Sequence, residues 1–366
     1  MLNLTVPYDA LRERCPVAHS EFLGWSLFRH QEIVDVVADP ATYSSVSRHR
    51  AIPSGMDHYE HTRYRHLLEP YFGPEAMATF EPRCRQLAVD LTQTLLAHAE
   101  ADFVTAFAQP FSIKAHCVFL GWPLETWQQL RDWTRNNQEI AFSRDREKAA
   151  ALARELDDYV TAALRQRREA GAAARADITT RLMGGKVGDA PLSDKDIVSI
   201  LRNWIAGHGT VAAALGIVVS YLAEHPETQQ RLRREPTLLP AAIEEILRTD
   251  GPLVDNRRTT TRNVTIAGQE IGAGERLTLI WIAANRDERA FDEPTAVRFD
   301  RDQEKNLLFG AGVHYCQGAP LARLELRVAL EELLARTTAI EPGTTAPPQR
   351  DRYPSNGFET LPVRLR

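Results

Sequence analysis

The sequence predicts a mainly α-helical fold carrying small β-sheets. Three observations predict it: two long windows of strong helix formers, one N-capped apolar stripe, and one short region where turn glycines separate alternating apolar residues. In chain order, residues 84–100 and 148–170 are dominated by Ala, Leu, Arg and Glu, which lose little freedom in a helix. Met183 to Pro191 is broken up by glycine and proline and reads as a loop within one unit, not a linker between domains. Ser193 followed by Asp196 resembles a capping box with aspartate in place of the usual Glu or Gln. Behind it Ile197, Ile200, Leu201, Trp204 and Ile205 form an apolar stripe on a long helix continuing toward Leu222. Val264–Ile266, Gln269–Ile271 and Leu277–Trp281 alternate around Ala267-Gly268 and Gly272–Gly274, so residues 253–283 are expected to hold short strands joined by turns. After Pro320 the helical pattern returns and runs through Leu334.

Composition narrows the function classes. Over 366 residues, 25% charged and 43% hydrophobic side chains are ordinary for a globular chain and exclude wholesale disorder. The net charge of −5 gives no global basic excess to recruit nucleic acid or an anionic membrane. Cys15, Cys84, Cys117 and Cys316 are too few and too scattered for a disulfide scaffold, so a cytoplasmic, reducing home is expected. Met1 to Asp9 lacks the basic segment and apolar core of a signal peptide. No uninterrupted apolar run reaches the roughly 18–20 residues that span a bilayer, so no membrane segment is expected.

Residues 309–323 read Phe-Gly-Ala-Gly-Val-His-Tyr-Cys-Gln-Gly-Ala-Pro-Leu-Ala-Arg. Gly310, Gly312 and Gly318 surround Cys316, which immediately precedes a helix. Glycine permits unusual backbone angles and lets the main chain approach a flat ligand. A cysteine at a helix N-terminus lies near unpaired N–H donors that favour the thiolate. A soft metal position requires a thiolate, and haem iron accepts one as its proximal ligand. A lone cysteine beside glycines is ordinarily an inert buried thiol. Here, however, every fixed position of Phe-Gly-x-Gly-x-His-x-Cys-x-Gly, then Leu-Ala-Arg, is present, and the string resembles the haem-ligand signature of the cytochrome P450 superfamily.

That resemblance covers most of the chain, from Pro7–Pro16 to Leu361-Pro362-Val363, and is strongest at residues 245–335. It implies a single domain over residues 1–366 with the superfamily's triangular helical prism, an α-rich part and a smaller β-rich part. It also implies haem b (iron protoporphyrin IX) with Cys316 as the metal ligand. The chain is short for the family, so substrate-side loops are expected to be trimmed, Ser44 to Asp57 among them. Glu245 and Arg248, three apart on one helix face, can pair. By themselves they would be an everyday surface ion pair. The resemblance instead implies a buried pair joined by a further arginine before the thiolate loop, Arg298 first and Arg301 as the alternative.

The family's cations for the haem propionates come from separate segments. His61 and Arg65 share a helix face and look like its His-Thr-x-x-Arg helix, with Arg63 as the alternative inward residue. Arg258, ten residues before Gly268, matches the arginine ahead of its small hairpin, with Arg257 as the alternative. His314 is the fourth candidate, and Gly310 and Gly318 would flank the cofactor.

On the oxygen side the pattern departs. The long helix carries Ala206-Gly207-His208-Gly209-Thr210, where family members usually show Ala/Gly-Gly-x-Asp/Glu-Thr. Each glycine weakens the helix by ~1 kcal/mol and can open a groove for dioxygen. Thr210 is the implied catalytic hydroxyl, but the acid position is Gly209. Protons would then travel through ordered water, substrate polar groups or His208, whose ordinary pKa of about 6.5 suits a relay. His208 is one residue, roughly 100° of helix turn, away from the missing acid and is not a simple replacement. Asn203-Trp204 also resembles the catalytic domains of self-sufficient P450–reductase fusions.

The implied function is a monooxygenase inserting one atom of O2 into a small apolar organic substrate. The sequence shows neither a dinucleotide fingerprint after a strand nor four-cysteine iron–sulfur spacing. Electrons are therefore expected from a separate ferredoxin or flavodoxin with an NAD(P)H-dependent reductase. Arg63, Arg83, Arg85, Arg323 and Arg327 are candidates for its docking face, and Ile205, Ala206, Leu253, Val254 and Asn356 to Phe358 for the substrate pocket. Gly209 leaves open a different haem-thiolate enzyme, such as a peroxygenase, an oxidative coupling enzyme or a nitric oxide reductase. A non-catalytic haem-binding protein is a third reading, against which Cys316 and Thr210 count.

Overall fold

Helix formers and proline punctuation decide where the first half of the chain coils. The computed structural model describes residues 5–47, 50–143, 146–171 and 177–366, so residues 1–4 of the Met1–Asp9 stretch and two residues of the Ser44–Asp57 stretch lie outside them. Helix α1 (Thr5–Arg14) leads into the hairpin β1 (Val17–Ser20) and β2 (Gly24–Leu27), then α2 (His30–Ala38) and β3 (Tyr43–Ser44). Next come α3 (His58–Leu68) and α4 (Pro74–Leu96). The helix expected over 84–100 thus begins ten residues earlier. Pro74 occupies its first turn, where no N–H is needed, and Pro82 is accommodated within it. Strand β4 (Ala101–Asp102), α5 (Gln109–Leu120), α6 (Trp127–Ser143), α7 (Arg146–Ala170) and α8 (Ile178–Met183) follow.

The stretch read as a plain loop, Met183 to Pro191, contains a miniature hairpin, β5 (Lys186–Val187) and β6 (Ala190–Pro191). Its turn carries Gly188 at φ +64. The capping box holds: the Ser193 hydroxyl accepts from the Asp196 N–H at 3.2 Å, and the Asp196 carboxylate accepts from the Ser193 N–H at 3.2 Å. The long helix behind it is two helices, α9 (Asp194–Ile205) and α10 (Gly207–Glu224), interrupted at Ala206. Val211–Val219 are buried on every face of α10, which makes it the central core helix, in contact with α5 and three helices that follow it. Asp194–Glu224 is long and apolar enough to cross a membrane, but most of that window is buried inside the protein.

Those three are α11 (Pro226–Arg234), α12 (Leu239–Thr249) and, beyond the strands, α14. Strands β7 (Asp255–Thr260), β8 (Val264–Ile266), β9 (Gln269–Ile271) and β10 (Arg276–Ile280) follow α12 where turn residues predicted them. The β8–β9 turn places Ala267 at φ +47 and Gly268 at φ +79, the two left-handed positions a tight hairpin needs. β10 is the central strand of a five-stranded sheet ordered β1-β2-β10-β7-β3, parallel to β2 and antiparallel to β7. One face of that sheet forms a second core with α2, through Leu27, Ile33, Val36, Leu277 and Leu279. A short α13 (Trp281–Ala284) and the long α14 (Ala319–Arg336) come next. The chain ends in β11 (Ile340–Pro342), β12 (Gln349–Arg350), β13 (Phe358–Thr360) and β14 (Pro362–Leu365).

Candidate active site

The segment 309–318 folds back on itself immediately before α14. The Cys316 N–H donates to the Phe309 carbonyl at 2.9 Å and the Tyr315 N–H to the Gly312 carbonyl at 3.0 Å. Gly310 and Gly312 take φ of +70 and +68, which side chains resist. A Cβ on Gly312 would lie 2.5 Å from the Val37 carbonyl of α2, so the loop can approach α2 only with glycine there. Gly318 has φ −81 and needs no glycine for its conformation; a Cβ there would stand 4.0 Å from both Cys316 Sγ and the Phe72 ring.

Cys316 is reached through an internal cavity yet lies deep below the outer surface. Burial pushes its thiol pKa up, against the pull of the Gly318 and Ala319 N–H groups and the charges of Arg65 and Arg323. The helix N-terminus and the two arginines thus pull toward the thiolate while burial pulls against them.

That cavity, of about 360 Å³, is walled by α10, the Cys316 loop, α14, β7 and α3. His61, Arg65, Arg258 and His314 all face it. The His61 and His314 rings lie 4.2 Å apart, and the Nε2 of each is buried without a hydrogen-bond partner among the described residues. Burial and then Arg65 lower the His61 pKa, and burial, His61 and Arg258 lower that of His314 to about 4. Arg65 donates to the Tyr315 carbonyl at 2.9 Å and Arg258 to the Arg257 carbonyl at 2.8 Å. Asp57 opposes them in part, 3.7 Å from His314, while also holding Ser44 and Ser45. Arg63 instead reaches the Val187 carbonyl at 2.9 Å, and exposed Arg257 does not line the cavity. Two guanidinium groups and two imidazoles thus converge on one wall, with charge from the arginines and hydrogen-bonding capacity from the rings, which suits an anion.

Thr210 opens into the same cavity, and a Cβ on Gly209 would meet nothing within 4 Å. His208 does not line it. Its Nε2 lies 2.9 Å from the Thr134 hydroxyl of α6, and burial, then His116, lower its pKa to about 3. A neutral ring turned toward α6 is no proton relay to Thr210, which corrects the role given to His208. Sequence reasoning missed His116 on α5 and Glu325 on α14, which both face the cavity. The available signal was a charged or titratable residue on an otherwise apolar helix stripe: Glu325 stands four residues after Leu321, and His116 four before Leu120.

Of the expected pocket residues only Leu253 lines the cavity. Val254 packs with Phe28 and Ile280, Phe358 with α10, and Asn356 donates to Asp250 at 2.7 Å. Ile205 and Ala206 are likewise outside it, whereas Asn203, Trp204, Pro53 and Ser54 are inside. Residues 50–54 are tied to α9. The Ile52 N–H donates to Ser199 Oγ at 3.0 Å, Asn203 donates to the Ile52 carbonyl at 3.3 Å, and Arg50 pairs with Asp196 at 3.1 Å.

Below the cavity, fully buried Arg248 grips Glu245 with two parallel bonds of 2.8 and 2.9 Å. The third member is Arg301, whose Nε donates to Glu245 at 2.8 Å. Arg298, the first choice from sequence, contributes only its backbone N–H, while its guanidinium reaches Asp300 and Glu293 at the surface. The expected basic docking face is also reduced. Arg85 and Arg327 are shared among Glu81, Glu331 and Glu332, bracing α4 against α14, and Arg323 pairs with Glu244. Arg83 stands exposed on α4.

The donor set fits haem. Among the described residues no group of three or more His, Cys, Asp or Glu could hold a bare ion, so a single sulfur suits a metal that arrives inside a macrocycle. The orphaned imidazoles and the two arginines suit that macrocycle's carboxylates.

Comparison with known proteins agrees. The family model described as Cytochrome P450 matches residues 124–364. The erythromycin C-12 hydroxylase of Saccharopolyspora erythraea is 36% identical over 347 residues, covering 89% of this chain and 85% of its own. The cyclomarin C epoxidase of Salinispora arenicola is 33% identical over 352 residues, covering 90% and 88%. Among solved structures, a mutant of P450 EryK in complex with erythromycin B superposes with a TM-score of 0.89 at 31% identity, covering 99% of this chain and 96% of that one.

Proposed function

Since this chain belongs to the cytochrome P450 family and is a haem-thiolate monooxygenase of bacterial type, we propose that its cavity holds haem b on Cys316 and admits an apolar organic substrate beside Thr210. The observation that carries the reading is the convergence on a single cavity of one sulfur, two arginines, one hydroxyl and two imidazoles whose buried Nε2 atoms lack a hydrogen bond among the described residues. When bound, the haem iron supplies the two-electron activation of dioxygen and the transfer of one oxygen atom to substrate. Everything else is asked of the polypeptide. Cys316 would hold the iron through its sulfur, in a loop fixed by its own N–H bond to the Phe309 carbonyl. His61, Arg65, Arg258 and His314 hold the propionates, and Arg65 is itself positioned by the Tyr315 carbonyl. Thr210 presents a hydroxyl that can hold a proton at the oxygen side. Glu245, Arg248 and Arg301 keep the platform below in place without touching the chemistry.

The relatives act on a macrolide and on cyclomarin C by name, which favours a bulky natural-product scaffold for this chain as well. Electrons would come from a separate ferredoxin or flavodoxin, docking near exposed Arg83 and Arg63. The four cysteines are free, in keeping with a cytoplasmic setting.

The test is spectroscopic. The ferrous–CO complex of the purified protein should show a thiolate-type band, and Cys316→Ala should abolish it. Survival of that band in the variant would refute the ligand assignment. A panel of macrolides, cyclic peptides and steroids should then produce a substrate-induced spin shift, and product formation with NAD(P)H, ferredoxin and reductase completes the case.

A further inference from the structure

We propose that Arg323, held over the face of Phe309 by Glu244, is a positioning residue that sets how readily the haem iron takes up an electron, and that Glu244 holds its charge in check. The inference deepens the monooxygenase reading and rests on it.

The charges of two guanidinium groups favour the Cys316 thiolate, and the two groups have different commitments. Arg65 faces the cavity, where it serves the carboxylates of the macrocycle, and donates to the Tyr315 carbonyl at 2.9 Å. A propionate beside it cancels much of its charge. Arg323 is outside the cavity, half-exposed in the second turn of α14, and no propionate is expected there. It is the cation whose field the cofactor itself does not neutralise.

Three contacts fix Arg323. Its Cζ lies 4.4 Å from the centroid of the Phe309 ring, and its Nη1 donates to the Tyr315 hydroxyl at 2.9 Å. Glu244 accepts from Nε at 2.7 Å and from Nη2 at 3.3 Å. Phe309 and Tyr315 both belong to the loop that presents the sulfur. The Phe309 carbonyl accepts the Cys316 N–H at 2.9 Å, and Tyr315 immediately precedes Cys316. Phe309 and Cys316 line the cavity while Arg323 does not, so an aromatic ring stands between the guanidinium and the cavity. The negative face of that ring attracts the cation, and an apolar ring screens its field far less than water does.

The acid is as well defined as the base. Glu244 and Glu245 are neighbours on α12 with separate partners: Glu245 takes Arg248 and Arg301, and Glu244 takes Arg323 across to α14. Among the described residues Arg323 has no second acidic partner. Removing one member of this pair therefore leaves a single unbalanced charge on the outer side of the thiolate loop.

The electron uptake balances simply. Ferric iron, the dianionic porphyrin core and one thiolate sum to neutral, and reduction leaves one negative charge on the group. One electron enters from a low-potential one-electron donor, and no bond forms or breaks. A fixed cation nearby favours the reduced state and a fixed anion opposes it. A unit charge about 10 Å away, at an effective dielectric constant of about 20, weights such an equilibrium roughly tenfold. Partial exposure and salt reduce that factor.

Dye-mediated redox titration of the haem-loaded protein, with dithionite as electron source, tests the pair without turnover. Arg323→Gln should shift the ferric/ferrous balance about threefold to tenfold toward ferric at a fixed potential, a midpoint lower by about 30–60 mV. Glu244→Gln should shift it by a like factor toward ferrous, and the double variant should return to within about twofold of the wild type. Arg323→Lys keeps the cation but loses the planar fork, so it should lower the melting temperature yet stay within about twofold of the wild-type balance. Equal potential shifts in Arg323→Lys and Arg323→Gln would make the residue purely structural and overturn the proposal. A midpoint unmoved by Arg323→Gln, or moved the same way by Glu244→Gln, would also overturn it. Should Arg323→Gln fail to retain haem, the direction of the Glu244→Gln shift decides. A wild type without a thiolate-type ferrous–CO band removes the haem-thiolate reading and this inference together, whereas an intact band with an unmoved midpoint removes the inference alone.

Discussion

Replacing Arg301 with leucine removes one of the two guanidinium groups that neutralise Glu245. The deleted bond is charge-assisted, 2.8 Å long and almost fully buried, which puts the loss at about 1.5–3 kcal/mol. Arg248→Leu is harsher. It removes both parallel bonds to Glu245 and strands the carbonyls of Asn285, Pro294 and Ala296, a loss of about 3–5 kcal/mol. For a chain of this length these become drops of about 2–4 °C and 4–6 °C in the melting temperature. Melting the haem-loaded protein at one fixed scan rate measures them, because a bound cofactor makes unfolding scan-dependent. Arg298→Ala should leave the melt unchanged, since the exposed side chain meets only Asp300 and Glu293 and the useful N–H survives in alanine. Burial would raise the Glu245 pKa, but the bonds from Arg248 and Arg301 lower it overall. A depressed folded pKa stabilises above the ordinary carboxylate range and ceases to do so as pH falls through the folded value. The gap between wild type and Arg301→Leu should therefore close on acidification. Equal damage from Arg298→Ala and Arg301→Leu would refute the reasoning.

Two further outcomes are expected. His208 is held neutral with a pKa of about 3, so stability present above pH of about 6.5 should be lost as the pH falls from about 6.5 toward about 3, by about 1.4 kcal/mol per pH unit for this one group; His208→Leu should flatten the pH dependence of the urea-derived unfolding free energy by that amount, and an unaltered slope would show the ring is not the buried neutral group described here. Gly312→Ala must place a Cβ 2.5 Å from the Val37 carbonyl at positive φ, whereas Gly310→Ala bears the left-handed penalty of about 1–2 kcal/mol with nothing within 4 Å; the first should lose clearly more thermal stability and haem retention than the second, and equal losses would show that contact with α2 does not constrain the loop.

What was legible in the sequence is what short range fixes. Cys316, Gly310 and Gly312 lie in one contiguous string, and His61 and Arg65 share a face because four residues make about one helical turn. The capping box and the β8–β9 turn are equally local. Arg301 was not separable from Arg298 because the segment between α13 and the Cys316 loop has no helical or strand period to say which residue points inward. The break at Ala206 escaped notice because the apolar stripe continues across it. Strands of two residues, such as β4 and β12, are too short to show alternation. His116 and Glu325 meet only because α5 and α14 both border α10, a fact of tertiary packing that no spacing records. The arginines of the presumed docking face were counted without the glutamates that face them from a second helix.

The ties between residues 50–54 and α9 give the molecule a mechanical linkage. Their anchors, Asp196, Ser199 and Asn203, are all upstream of Ala206, and Thr210 is downstream. Pro53 and Thr210 line the same chamber, so its wall is built from both sides of the joint at Ala206: the tied segment on one side and the hydroxyl one turn beyond it on the other.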